Sequence, residues 1–478
     1  MPPRVTAAID KLSEDILVEI FDAYRQLYES KPRYENIWNS RDGWFKLTHV
    51  CRTWRRLVHS SPSRLHVHLL FTPHRSSKAI MLKDLPSFPI LIDYKLAKWT
   101  KRELDLALAA IGHRGCVRGI SLRGRPFTNS DNILKALNRP FPDLESLEIL
   151  SDYEGHNFVM LPATFLLGSA PCLRQLKLQD VDSRSLCPLL STMTGLAELS
   201  LSIRIPLDTL PEESFIANLQ RMSCLRRLEL ELLPHPSIIS DSPRPQSSTR
   251  TGDIVPLQNL MQIVFVGQSI YLEALMAVLA APSLQNLTVG ILDATNTFSI
   301  SHLCRFICDT DNQFHRAHLD FLDTRLIIVA ETRSIHAKPF VIAITGPSSL
   351  EDIGNRLSGP LATLEKLAIR WSVIGERHGP HCLQWRGFFN HTRQLKFLSV
   401  SWQVALDVAN SFQQDGQELD MELLPSLEII DMDMNQWHPG RPPPGHNSQD
   451  HATIPDAFEP LIAARKKVGH PITLSSST

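Results

Sequence analysis

The sequence predicts an α/β fold: a curved stack of short parallel strands, each followed by a helix, with a small all-helical segment in front. Three observations carry this prediction. A six-residue unit, apolar-x-x-apolar-x-apolar, recurs ten times between residues 117 and 432. The stretches between copies hold apolar residues at spacings of three and four, several behind residues that cap helices. Residues 12–58 lack the unit and hold two amphipathic helices instead.

In the first of these helices Leu12, Ile16, Leu17, Ile20, Phe21, Tyr24, Leu27 and Tyr28 recur at helical spacing, while Ser13, Glu14 and Asp15 set a cap and negative charge at the positive end of the dipole. In the second, Trp44, Leu47, Val50, Cys51, Trp54, Leu57 and Val58 form one stripe, with Arg52 and Arg56 opposite and Arg55 at its border. Two helices this short bury too little surface to offset their own entropy, so a partner or the following domain must cover them. The order Leu12, Ile16-Leu17, Ile20-Phe21, then Leu47 and Val50-Cys51-Arg52-Thr53-Trp54-Arg55, resembles the F-box, the helical module that docks on the Skp adaptor of SCF ubiquitin ligases. Ser13 stands where that family usually has proline, and residues 30–44 lengthen the connection between the helices. The resemblance covers residues 9–65 and implies that Leu12, Ile16, Leu17, Ile20, Phe21, Leu47, Val50, Cys51 and Trp54 contact a Skp-type adaptor and, through it, a cullin.

After two short strand-like runs, Leu65–Phe71 and Pro89–Tyr94, the repeats begin. The copies are Val117-Ile120-Leu122, Leu144-Leu147-Ile149, Leu173-Leu176-Leu178, Leu196-Leu199-Leu201, Leu225-Leu228-Leu230, Leu260-Ile263-Phe265, Leu284-Leu287-Val289, Leu364-Leu367-Ile369, Leu395-Leu398-Val400 and Leu427-Ile430-Met432. Between Leu284 and Leu364 the degenerate runs Phe314–Phe321 and Phe340–Ile344 are expected to continue the stack. Thr100 with Glu103 and Ser348 with Glu351 are capping boxes. Helical spacing also runs through Ser183–Met193, Glu212–Met222, Ser269–Ala281 and Gln403–Phe412. This alternation resembles the long, helix-backed leucine-rich repeats, whose units bury their faces only against one another. The asparagine usual at position 9 of that repeat is missing: the copies from Leu144, Leu173 and Leu196 hold Asp152, Val181 and Arg204 there. The fold class is therefore read as an α/β leucine-rich-repeat solenoid, a curved parallel sheet backed by helices, preceded by a small all-α F-box.

Two segments interrupt the stack. Residues 234–255 are rich in Pro, Ser and Thr, and are expected to form a mobile loop in place of a helix; 438–455 form a second, Pro-rich loop. Pro455–Gly469 then reads as a helix with Phe458, Leu461 and Ile462 inward and a basic last turn of Arg465, Lys466 and Lys467, and Pro471–Leu474 as a closing strand. The organisation is a helical domain at 1–65, the repeats at 66–437, a loop at 438–455 and a C-terminal helix and strand at 456–478.

Composition narrows the function. With 49 Lys and Arg against 50 Asp and Glu, no long-range field gathers phosphate backbones, so nucleic acid is not an expected partner. Eight cysteines spread through the chain without a Cys-x-x-Cys motif fit reduced thiols in an intracellular, cytoplasmic or nuclear protein, and Cys304 with Cys308 read as core thiols. There is no signal-peptide core, and the longest apolar helix, Tyr271–Ala281, is too short for a bilayer. The motifs of nucleophilic, phosphate-binding, dinucleotide-binding and zinc-peptidase sites are absent, so no catalysis and no cofactor is expected. His378, His381 and Cys382 lack a fourth ligand and read as a polar loop, so no metal is expected either.

The resemblance implies a substrate receptor of an SCF-type ubiquitin ligase that contributes proximity rather than chemistry. The alternative is a leucine-rich scaffold that binds a partner without ubiquitin transfer. In either case the residues alternating with buried ones face the concave side and offer a surface to a protein substrate: Arg227, Glu229 and Glu231, then Gln262, Val264 and Val266, then Asn286, Thr288 and Gly290. This is read as two exposed valines beside an acidic border. The same alternation predicts that Trp371, Trp402 and Met434 form one inward column, with Arg370, Ser401 and Asp433 facing away.

Overall fold

The computed structural model describes residues 12–29, 46–60, 69–71, 89–96, 101–124, 130–151, 161–162, 165–166, 170–181, 183–205, 212–234, 254–292, 300–309, 314–322, 325–332, 339–345, 350–371, 385–413, 419–433 and 454–477. Thr100, Asp152, Ser348, the His378–His381–Cys382 cluster, Met434, the connection 30–44 and most of the two loops at 234–255 and 438–455 lie outside these residues. The chain divides into two compact units, Met1–Leu199 and Ser200–Thr478.

In the first unit, α1 spans Glu14–Glu29, with the Ile16 N–H donating to the Ser13 hydroxyl at 3.4 Å. The second predicted helix is not continuous. A helical turn over residues 46–50 ends at Cys51, and α2, Arg52–Ser60, starts afresh. The Cys51 sulfur accepts the Trp54 N–H at 3.4 Å as a cap would, and the Arg55 Nε reaches back to the Thr48 carbonyl at 2.9 Å. The repeats follow as β1 (Leu69–Phe71), β2 (Ile90–Leu96), α3 (Lys101–Gly112), β3 (Val117–Gly124), α4 (Ser130–Leu137), β4 (Ser146–Ser151), β5 (Gln175–Gln179) and α5 (Ser183–Ser191). Strands β1 to β5 pair in chain order and all in parallel. Their register aligns Ile92, Ile120, Leu147 and Leu176 in one buried row, which is where the repeat unit places them.

Strand β6, Glu198–Ile205, carries the chain onward. The second unit continues through α6 (Glu212–Gln220), β7 (Arg227–Pro234), β8 (Val255–Pro256), β9 (Gln262–Gly267), α7 (Ser269–Val278), β10 (Leu279–Ala280) and β11 (Asn286–Ile291). Then come α8 (Ser301–Asp309), β12 (Phe314–Leu322), β13 (Arg325–Thr332), β14 (Phe340–Thr345), α9 (Leu350–Arg356), α10 (Ser358–Leu361) and β15 (Lys366–Trp371). The unit closes with α11 (Trp385–Phe389), β16 (Phe397–Ser401), α12 (Trp402–Asn410), β17 (Ile429–Asp433), α13 (Ile454–Lys467) and β18 (Thr473–Ser477). Each unit is a mostly parallel sheet backed by helices, not closed into a barrel. The short strands β8 and β10 pair with each other, apart from the main sheet.

The repeat unit has a common backbone start. The N–H of its first apolar residue closes a turn on the carbonyl three residues earlier at Leu144, Leu173, Leu225, Leu260, Leu284, Leu364, Leu395 and Leu427. The next N–H then bonds to the preceding strand, as Arg174 does to Glu145 (2.8 Å) and Gln285 to Met261 (2.9 Å). The asparagine missing at position 9 is replaced locally: Asp180 adopts a left-handed conformation (φ 54°) ahead of buried Val181, whereas β6 runs on through Arg204.

Between β11 and β15 the expected parallel succession fails. The spatial order is β11-β14-β13-β12-β15, with β13 antiparallel to both neighbours. A strand not anticipated from the sequence, β13 (RLIIVAET), fills this gap. Only two residues, 323 and 324, separate β12 from β13, and so short a link permits a hairpin but no parallel crossover. Helices α8, α10 and α9 pack as neighbours and cover the helix side here.

The tryptophan column does not form either. Strand β16 ends at Ser401, the still extended residue before α12, so Trp402 begins a helix instead of extending the strand. Ser401 is buried rather than turned away, its hydroxyl accepting the Trp371 N–H at 3.2 Å. Trp371 stacks instead on Phe321 (5.7 Å between ring centroids), which meets the buried Trp385 edge-on. At the C-terminus Phe458 and Leu461 are buried as expected, Ile462 only partly. Arg465 is buried too, and its guanidinium donates to the carbonyls of Leu423, Leu424 and Pro425 at 2.9–3.2 Å, pinning that loop while Leu424 sits at φ 56°.

Candidate functional site

The N-terminal helix pair has a core of its own. Leu17, Val18, Phe21, Leu47, Leu57 and Val58 are buried together, with Leu12, Tyr24 and Trp54 packed half-buried against them. The Phe21 and Trp54 rings lie 4.7 Å apart, and an exposed Arg56–Glu14 ion pair of 2.9 Å ties α2 to the start of α1. The nine residues singled out by the F-box resemblance thus divide. Leu17, Phe21 and Leu47 are inside; Leu12, Cys51 and Trp54 are intermediate; Ile16 (50% exposed), Ile20 (40%) and Val50 (59%) are outside. The break at Cys51 puts Val50 on the turn, off the stripe of α2. Ordinary helical periodicity therefore brings all nine onto one module, but only backbone geometry tells the exposed side from the inside.

The second candidate is the sheet face turned away from the helices. All nine alternating residues named from the sequence share it: Arg227, Gln262 and Asn286 are in one register row, Glu229, Val264 and Thr288 in the next, and Glu231, Val266 and Gly290 in the third. Two details differ from expectation. Val264 and Val266 are half-buried rather than exposed. The acidic border is partly neutralised, since the Arg227 Nε donates to the Glu229 carboxylate at 2.9 Å and Nη2 adds a second contact. The reordered strands also extend the face in a way the sequence did not disclose. Val341 and Ala343 of β14 stand beside Thr288 and Gly290, and Val329 and Ile327 of β13 beside those. A face four strands wide results, aliphatic on β9, β14 and β13 with Thr288 and Gly290 of β11 between them, every position half-buried.

Beyond β13 the face turns polar, with His318 and Asp320 on β12 and Arg370 on β15. His318 is held below its usual pKa, chiefly by burial and then by Arg316 and Arg370, against the opposing pull of Glu331 and Asp320. Farther along, Asp431 accepts the Ser475 hydroxyl at 2.8 Å and Ser399 at 3.4 Å. In the first unit the corresponding face centres on Glu148, which accepts from Ser121 (2.6 Å) and Arg123 (2.8 Å) and lies 3.9 Å from Lys177.

Among the described residues no group of three or more His, Cys, Asp or Glu could hold a metal ion. Burial, with Glu273 and Cys308 nearby, pushes the Cys304 thiol up to about 12, the opposite of a reactive thiolate, and its sulfhydryl donates to the Arg356 carbonyl. The apolar cavity bounded by Ile203, Phe215, Leu232, Phe265, Tyr271 and Leu275 holds about 40 Å³, room for a solvent-sized guest rather than a substrate. No helix among the described residues is long and apolar enough to cross a membrane. No protein-family model matches the chain, and no curated protein is significantly similar to it in sequence.

Proposed function

We propose that this chain is a non-catalytic substrate receptor of an SCF-type ubiquitin ligase: the N-terminal helix pair docks on a Skp-type adaptor, and the open sheet face holds a protein to be ubiquitinated. One observation supports this most. The helix pair closes its own small core and still leaves Ile16, Ile20 and Val50 wet, large aliphatic side chains on the segment whose sequence resembles the F-box. Covering each of them is worth about 1–2 kcal/mol, an ample drive for docking. The wide, largely aliphatic sheet face supports binding as the role of the repeats.

The test is coexpression of the full chain with a Skp-type adaptor. We expect a soluble one-to-one complex, lost in an Ile16→Asp, Val50→Asp variant that keeps its circular dichroism spectrum, because these two side chains contribute nothing to the internal core. Trp54→Ala should weaken the complex indirectly, by loosening the pair through its contact with Phe21. A double variant that still copurifies the adaptor in full would sink the assignment. Ubiquitin transfer to a bound protein, reconstituted with the adaptor and cullin, separates a ligase receptor from a scaffold.

A further inference from the structure

We infer that the recognition centre of the open face lies over β9, β11, β14 and β13, on Val264, Val266, Val341, Ala343, Val329 and Ile327, and that it takes an amphipathic helix of a partner protein, with a basic residue at the end over β7. This deepens the receptor reading and rests only on its claim that the repeats bind a protein. The six side chains form two register rows on one face, all half-buried. Thr288 and Gly290 of β11 stand between the valines of β9 and the residues of β14, and the rows continue only because the antiparallel excursion returns β14 to the side of β11.

The shape of the occupant follows from the backbone. These four strands lie in the interior of the sheet, with every neighbour paired, so an extended peptide has no edge to which it could add. A helix satisfies its own backbone bonds and can lie on side chains alone. Four strands span roughly 14 Å between the outer two, which a helix of about ten residues covers with anchors at i, i+3 or i+4, and i+7.

Charge sets the direction. Over β7 the patch ends at Glu229 and Glu231; Arg227 engages the first, while Glu231 has no ion partner among the described residues. A carboxylate half-buried beside Val266 is matched by a Lys or Arg of the occupant. Over β12 and β15, Arg316, His318, Asp320 and Arg370 mix the signs within one cluster and favour neither.

The experiment uses the full chain copurified with a Skp-type adaptor and three synthetic helical peptides of 14 residues. One has leucines at i, i+3, i+7 and i+10 and lysines at one end; the second has glutamates in place of the lysines; the third scrambles the first. Expected is saturable binding of the lysine peptide by fluorescence anisotropy, roughly fivefold weaker binding of the glutamate peptide as befits one part-exposed ion pair, and none of the scrambled one. A Val329→Asp, Val341→Asp variant should lose at least tenfold, and Glu231→Lys should reverse the preference between the two charged peptides. A Val329→Ser, Val341→Ser variant serves if the aspartates unfold the chain. Equal binding of the scrambled peptide, no binding of the lysine peptide, or binding unchanged in folded variants that retain the adaptor would overturn the inference. Binding of the peptide by a chain that never engages the adaptor would instead overturn the ligase reading and leave this one standing.

Discussion

Strands β3 to β5 and strands β9, β11, β14 and β13 turn the same kind of surface away from their helices, yet fill it with opposite chemistry. On the first, Glu148 gathers Ser121, Arg123 and Lys177 around one carboxylate, so polar groups are satisfied by their own neighbours across the strands. On the second, the cross-strand neighbours in the two central rows are Val, Thr, Gly, Ala and Ile, which offer one another no charge and stay half-wet. Burial beneath the two is alike, since Leu147 and Leu287 are both almost wholly enclosed. The difference shows that the repeat scaffold fixes only its inward side, leaving the outward side free to be a closed polar network or an open, largely aliphatic surface.

The largest effect should come from the shared scaffold. Leu147→Ala under the first face and Leu287→Ala under the second should each lower the unfolding free energy by about 3 kcal/mol in urea denaturation, because both leave a cavity in a packed row. A loss under about 1 kcal/mol at either would show that the two inward sides are not equivalent.

Single changes on the outward sides should separate the faces. Glu148→Ala removes the acceptor shared by the Ser121 hydroxyl and the part-exposed Arg123 guanidinium, which keep their own contact at 3.1 Å, and should cost about 0.5–1 kcal/mol of stability with no effect on peptide binding. Val341→Ala should cost about 0.5–1 kcal/mol yet weaken peptide binding measurably. Stability and binding moving together at both positions would erase the distinction.

The smallest effect is a pH dependence confined to the border of the aliphatic surface. His318 has a folded pKa below its unfolded value near 6.5, so the unfolded chain takes up the proton first. Its contribution is therefore constant above pH 6.5 and is lost as pH falls toward the folded pKa. Urea midpoints should sag as pH falls below about 6.5 in the parent chain and sag less in His318→Gln; identical profiles would mean that this histidine does not feel the burial the fold assigns it.

The period of the repeat, the inward rows, the alternation that puts Glu229, Val264 and Thr288 on one face, and the apolar residues of the N-terminal pair were all determined by the sequence alone. Each is a local matter, in which the spacing of apolar residues along one segment decides which side is buried. What only the tertiary structure decided is which segments become neighbours and where they stop. The two-residue link after Leu322 folds β13 back, β14 returns beside β11, and Val329 thereby joins Val341 and Thr288 across a sequence gap that no period spans. Likewise, the Cys51 sulfur and the Thr48 carbonyl interrupt a stripe that reads as one helix, leaving Val50 exposed, and Ser401 turns the chain so that Trp402 starts a helix. Strand pairing and helix ends depend on loop closure and on partners far along the chain, and a pattern confined to one segment carries no information about either.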